Sequence, residues 1–443
     1  MRAAYLLLVS FLLLATNPAT AQARLKTISS PAFFFRQRVG VQAYAGKPYR
    51  VSARMKVSAP AGDSADANVF TVVLDQHNKY LPGKSDFGKM RARRRDGVWR
   101  TYRNQGRLPA TGAYLTISGQ VFLNGTFGFD DFQLEVETSP SHWQAVPLTN
   151  GDFGAAVADS TSGFPNGWRP IYQVPEFTYR TLADETGNRY LEITGQNVVQ
   201  YGQNTRAGHT VVANGIKLYY ETYGRGEPLL LLHGNGQSIS AFRNQIPELA
   251  RHFQVIAVDT RAQGKSGSDG RELTYDLFAD DMSALLDALH LPAAHVLGWS
   301  DGGNTGLSLA LHHPSQVKRL VTMGANLWAD TTAVTAATLA EVRRTRRETG
   351  LLAPINKQAR QVHRLMTLLL RYPRMRPAEL HGITAPTLVL AGEKDLIKEA
   401  HSRLIAASIP RGQVQILPGL THYAPQEKPA VFNAAVLEFL LKP

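Results

Sequence analysis

Residues 295–304 read H-V-L-G-W-S-D-G-G-N, and this stretch decides the fold of the second half of the chain. The run His295 to Leu297 is expected as a buried strand, and Asn304 to Leu311 as a helix. Between them, Gly298-Trp299-Ser300-Asp301-Gly302 fits a turn so tight that glycines must flank the serine. A serine on such a strand-to-helix turn presents its hydroxyl at the carboxyl edge of a sheet. Ser300 is therefore the candidate nucleophile.

Working outward from the turn, further short apolar runs recur at Leu229 to Leu232, Val255 to Val258, Leu320 to Met323, Thr387 to Leu390 and Val414 to Leu417. Unbroken apolar runs suit strands covered on both faces of a parallel sheet. Amphipathic stretches such as Tyr275 to Leu289 and Ala430 to Leu441 lie between or after them. Together they predict a doubly wound α/β domain over 206–443, with a short helical cap over about 329–380.

Two partners for Ser300 follow in chain order. Asp395 lies just beyond the run Thr387 to Leu390, and His422 just beyond Val414 to Leu417, so both reach the edge where Ser300 sits. In this arrangement His422 takes the serine proton and Asp395 fixes its tautomer and supports the imidazolium. Glu393, two residues before Asp395, is the competing acid and is expected in a turn or surface contact. Two backbone N–H groups are expected to face the developing oxyanion: that of Asp301, and that of Asn235 in His233-Gly234-Asn235-Gly236. Trp299, beside the nucleophile, is expected to help bind substrate.

These segments, with Asp259-Thr260-Arg261-Ala262-Gln263-Gly264-Lys265-Ser266 and Met323-Gly324-Ala325-Asn326, resemble the α/β-hydrolases over residues 209–443. The elbow G-W-S-D-G-G is most similar to that of the biphenyl-hydrolase-like (valacyclovir hydrolase) group. The resemblance implies a serine hydrolase without a cofactor, acting on a small ester, with Asp301 recognising a substrate amino group. Asp301 is equally placed to cap the helix that follows it. Ala262 stands where many relatives carry glycine.

The region 22–205 has a different character. Runs such as Tyr49 to Val57, Phe70 to Leu74, Tyr114 to Phe122 and Phe127 to Val136 are separated by turn residues, which predicts an all-β sandwich. Segments 45–57, 98–102 and 124–137 resemble the second part of a carbohydrate-binding-module jelly roll. Segments 150–154, 163–168 and 187–195 resemble its opening part, in inverted order. Two short sandwiches, 22–140 and 141–205, or one roll built from both would explain this. The resemblance implies a glycan or cell-surface polymer as partner, and a structural calcium at Asp130 and Asp131 is a lesser expectation. Trp99, Trp143 and Trp168 are expected in the core.

The chain of 443 residues has no cysteine, which excludes disulfides, thiol chemistry and a Cys-ligated zinc, and no metal site is expected beyond the lesser calcium reading at Asp130 and Asp131. Its net charge of +13 is concentrated in Arg91 to Arg95 and Arg343 to Arg347. Neither run is interleaved with aromatics, so both are expected on solvated faces and no nucleic-acid partner is expected. Residues 1–21 read as a signal peptide, with Arg2, an apolar run from Ala3 to Ala15 and cleavage after Ala21. That run is too short to span a bilayer, so the mature protein is expected in the periplasm or outside the cell, without a transmembrane segment. A cofactor-free perhydrolase or haloperoxidase would use the same triad, and a non-catalytic carbohydrate-binding protein with a hydrolase-like scaffold would have no need of it.

Overall fold

The computed structural model describes residues 30–60, 65–81, 90–155 and 163–442, so the expected signal peptide lies outside the described residues. The chain divides into two compact units between Val199 and Gln200, slightly before the expected boundary at 205.

In the first unit, Pro48–Ser58 shows how sequence becomes sheet. Val51, Ala53, Met55 and Val57 alternate with polar residues and are buried on one face. Among the described residues, two antiparallel sheets arise in this way, one of five strands and one of six. Their inward side chains, including Phe35, Phe127, Phe129 and Trp168, share one apolar cluster. Strands from the later segment join both sheets: Arg169–Pro170 pairs with Ala32–Gly40, and Arg189–Gly195 pairs with Gly125–Ser139.

One expectation for this unit needs correction. Only Trp168 of the three tryptophans is in the core, because Trp99 and Trp143 lie half-buried with cations packed on their rings. Lys56 Nζ sits 4.9 Å from the Trp99 ring centre, and the Arg50 guanidinium 4.4 Å from that of Trp143. At the Asp130–Asp131 pair, the Asp130 carboxylate is fully buried and engaged within the protein. It accepts hydrogen bonds from Asn188 Nδ2 (2.8 Å) and the Asp131 N–H (2.8 Å), and pairs with Arg54 (3.4 Å). An arginine supplies the positive charge there.

In the second unit each apolar run named above lies in a parallel strand. The sheet runs, in spatial order, Gly208–Ala213, Ile216–Tyr223, Phe253–Val258, Glu227–Leu232, Ala294–Trp299, Val317–Met323, Thr387–Lys394 and Gly412–Thr421. Its first two strands form an antiparallel hairpin at the edge, turned at Asn214-Gly215, both of which have positive φ (44° and 79°). Helices cover the sheet and bury its apolar faces in two clusters, one containing Leu230, Val296 and Leu320, the other Leu229, Leu231 and Val321. The carboxyl ends of the central strands are thereby left as the place where loops converge.

The cap consists of helices Ala336–Leu352 and Lys357–Arg371, followed by a short 3₁₀ turn, Pro377–Gly382. Leu365 and Leu368 of its second helix pack with Ala262, Leu273, Tyr275 and Phe278. Of the arginine run, Arg343, Arg344 and Arg347 are exposed, while Arg346 donates to Thr367 Oγ1 (2.9 Å).

Candidate active site

Ser300 caps the helix Asp301–His312 with φ 58° and ψ −117°, a strained conformation for a side-chain-bearing residue. Two glycines make it feasible. A Cβ on Gly298 would collide with the Gly302 carbonyl, and one on Gly302 with the Leu232 carbonyl. The Ser300 N–H donates to the Met323 carbonyl (2.7 Å), which anchors the elbow to the neighbouring strand. Ser300 itself is half-buried.

His422 Nδ1 lies 2.7 Å from Asp395 Oδ1. The Asp395 carboxylate, fully buried, also accepts from the Ile397 N–H (2.9 Å) and the Gly392 N–H (3.3 Å). Charge and geometry therefore assign the Nδ1 proton to the bond with Asp395 and leave Nε2 as the basic nitrogen. Among the described residues, Nε2 has no other protein partner. Two contacts seat the imidazole beside the elbow. Trp299 Nε1 donates to the His422 carbonyl (2.9 Å), and Gly324, with φ 64°, leaves space that a Cβ would fill 2.5 Å from the ring. Glu393 turns away and accepts from the Gly419 N–H (2.6 Å).

The loop after Glu227–Leu232 runs against Ser300, since a Cβ on Gly234 would lie 3.2 Å from Ser300 Cβ. Its shape is held by side chains: Gln237 accepts from the Gly234 N–H (2.9 Å), and Gln263 from the Gly236 N–H (2.6 Å). His233 is buried beneath it. His233 Nε2 accepts from the Thr260 N–H (3.1 Å), and burial lowers its pKa to about 4, so it is a neutral structural residue. Among the described residues, neither the Asn235 nor the Asp301 backbone N–H has a protein acceptor. This leaves both available to a developing oxyanion.

A family model described as alpha/beta hydrolase fold matches residues 227–378. Over 264 residues, 53% of this chain and 93% of the relative, the sequence is 30% identical to 2-hydroxymuconate semialdehyde hydrolase of Pseudomonas sp. strain CF600. The chain belongs to the α/β-hydrolase family. Its relatives include the human serine hydrolase BPHL, 28% identical over 247 residues that make up 52% of this chain and 85% of the relative. A solved hydrolase from Pseudomonas aeruginosa is 28% identical, with a TM-score of 0.44 over 54% of this chain and 100% of its own.

In this α/β-hydrolase the two neighbours of Ser300 are both buried. Trp299 does not line a substrate pocket. Its side chain is only 1% exposed, packs near Phe242 and Tyr423, and spends its N–H on the histidine loop. The residue before the elbow serine belongs to a strand, so its side chain points into the core behind the catalytic edge. Asp301 is 2% exposed, and among the described residues its carboxylate partners are side chains outside its helix. One carboxylate oxygen accepts from Asn235 Nδ2 (2.8 Å) and the other from the Tyr275 hydroxyl (2.8 Å). Asp301 thus ties the loop carrying Asn235 to the elbow, and the Asn235 amide also lies 3.4 Å from the Leu365 carbonyl of the cap.

Burial pushes the Asp301 carboxyl up to about 6. A folded-state pKa above the ordinary value gives a stabilisation that is complete below about pH 4 and lost as the pH rises through 6. The amount lost is about 3 kcal/mol. Asp301→Asn cannot ionise, so its stability relative to the parent is expected to improve as the pH rises from about 4 to about 7.5. Urea midpoints of both proteins at the two pH values measure this. A stability difference that does not change with pH would contradict the assignment.

Proposed function

We propose that this α/β-hydrolase cleaves carboxylic esters through an acyl-enzyme on Ser300. The observation that supports this most is the Asp395–His422 pair, which leaves His422 Nε2 unpartnered among the described residues on a loop bonded to the elbow that carries the strained Ser300. His422 removes the Ser300 proton as Oγ attacks the ester carbonyl carbon, and the carbonyl π electrons move onto oxygen, facing the Asn235 and Asp301 N–H groups. Each such donor is worth on the order of 3 kcal/mol in the transition state. Collapse breaks the bond to the alcohol oxygen, which takes the proton from His422. Water, deprotonated by His422, then releases the acid and restores Ser300.

The apolar seam between cap and core and the small size of the cap favour small acyl esters. The proposal includes the reading of residues 1–21 as a leader, which would place this chemistry outside the cytoplasm. Turnover of p-nitrophenyl acetate and butyrate tests the reaction class. Ser300→Ala is expected to lower kcat by roughly 10³-fold or more. Unchanged turnover in that variant, or no ester hydrolysis by the parent across a panel including valyl and aryl esters, would sink the proposal.

A further inference from the structure

The cap carries a feature that the chemistry at Ser300 does not use. Its two helices meet at the turn 353–356, and the apolar side chains there face solvent: Leu351 is 78% exposed, Leu352 51% and Ile355 86%. Three large hydrophobic residues exposed within five positions form a patch, unlike single exposed residues scattered over a surface. The turn has a defined shape, because Arg360 donates to the Ala353 and Pro354 carbonyls (2.9 and 3.0 Å) and Asn356 caps the second helix through the Ala359 N–H (3.0 Å).

The patch has a cationic border. Residues 336–371 contain eight Lys and Arg against two Glu. Arg343, Arg347 and Leu351 are spaced four apart on the first helix, so two exposed guanidinium groups lead along one face to the apolar tip. Lys357 is exposed on the other side of the turn. Among the described residues, Arg343, Arg347 and Lys357 have no acidic partner.

We propose that the cap tip docks on an anionic phospholipid surface, with Leu351, Leu352 and Ile355 entering the headgroup region and Arg343, Arg347 and Lys357 meeting the lipid phosphates. An apolar tip bordered by cations matches the layered chemistry of such a surface, with acyl chains below and negative charge above. A second copy of this chain is a poorer occupant, because pairing two tips would juxtapose like charges. Farther along the second helix, Leu365 and Leu368 pack on Tyr275 and the Leu365 carbonyl lies 3.4 Å from the Asn235 amide, so a docked cap would hold the Ser300 edge close to the membrane.

Co-sedimentation of the full chain with vesicles tests this. Binding is expected to phosphatidylglycerol–phosphatidylcholine vesicles, to weaken at high salt, and to be weak on phosphatidylcholine alone. The triple variant Leu351→Ser, Leu352→Ser, Ile355→Ser keeps every charge, and should bind the anionic vesicles about tenfold less while hydrolysing soluble p-nitrophenyl acetate normally. Arg343→Gln with Arg347→Gln should weaken anionic binding with the apolar tip intact. Failure of the parent to bind anionic vesicles would overturn the proposal. So would undiminished binding by the triple variant, which would assign the interaction to net charge elsewhere. A parent that self-associates through this tip and binds no vesicles would assign it to a second copy instead.

Discussion

Asp395→Ala is expected to lower kcat by about 10⁴-fold with little change in KM. The carboxylate is fully buried behind His422, so it has no surface to offer a substrate. In the proposed mechanism its work is done through the imidazole: it holds the proton on Nδ1 and balances the positive charge that appears when Nε2 accepts the serine proton. Without it, the imidazole can adopt the other tautomer, with Nε2 protonated and unable to act as a base. Removal also leaves the Ile397 and Gly392 N–H groups without their acceptor, which costs about 1–3 kcal/mol of stability for each group that stays buried. Kinetics and a urea titration on the same preparation separate the two effects. A loss of less than tenfold in kcat from a folded variant would remove Asp395 from the triad and reopen the question of Glu393.

Gly324→Ala is expected to lower kcat by about 10²-fold, although residue 324 takes no part in the chemistry. The added Cβ would sit 2.5 Å from His422 Cε1 and Nδ1, so the ring must move by roughly 1 Å to restore ordinary contact. A displacement of that size costs about 10² in a reaction that depends on aligned atoms. The left-handed backbone at φ 64° adds about 1–2 kcal/mol of strain. The measurement is kcat/KM together with a thermal melt. Full activity in the variant would mean that His422 is not seated against this glycine.

The parts of the site that were legible in the sequence are local. The elbow is a contiguous motif, and Asp395 and His422 each follow an apolar run whose end is easily placed. What was not legible depends on contacts between distant segments. Asp301 meets Tyr275 across 26 positions and Asn235 across 66, and no periodicity records such a meeting. The burial of Trp299 was accessible in principle, because strand alternation sends its side chain away from that of its neighbours at the edge. The hairpin at Asn214-Gly215 also had a local signal, since that pair between alternating segments marks a tight turn. In the first unit, turn-separated β-branched and aromatic runs marked the strands. They could not assign Arg189–Gly195 to a sheet, because many strands offer an equivalent pairing edge.

The central claim is that Ser300 carries the acyl group, and mass spectrometry of acid-quenched protein during p-nitrophenyl butyrate turnover tests it most directly. A butyryl adduct is predicted on the peptide containing Ser300 in the parent. His422→Ala should form it far more slowly, and Ser300→Ala should not form it at that peptide. Steady turnover with the adduct on another residue, or with Ser300→Ala as active as the parent, would contradict the account.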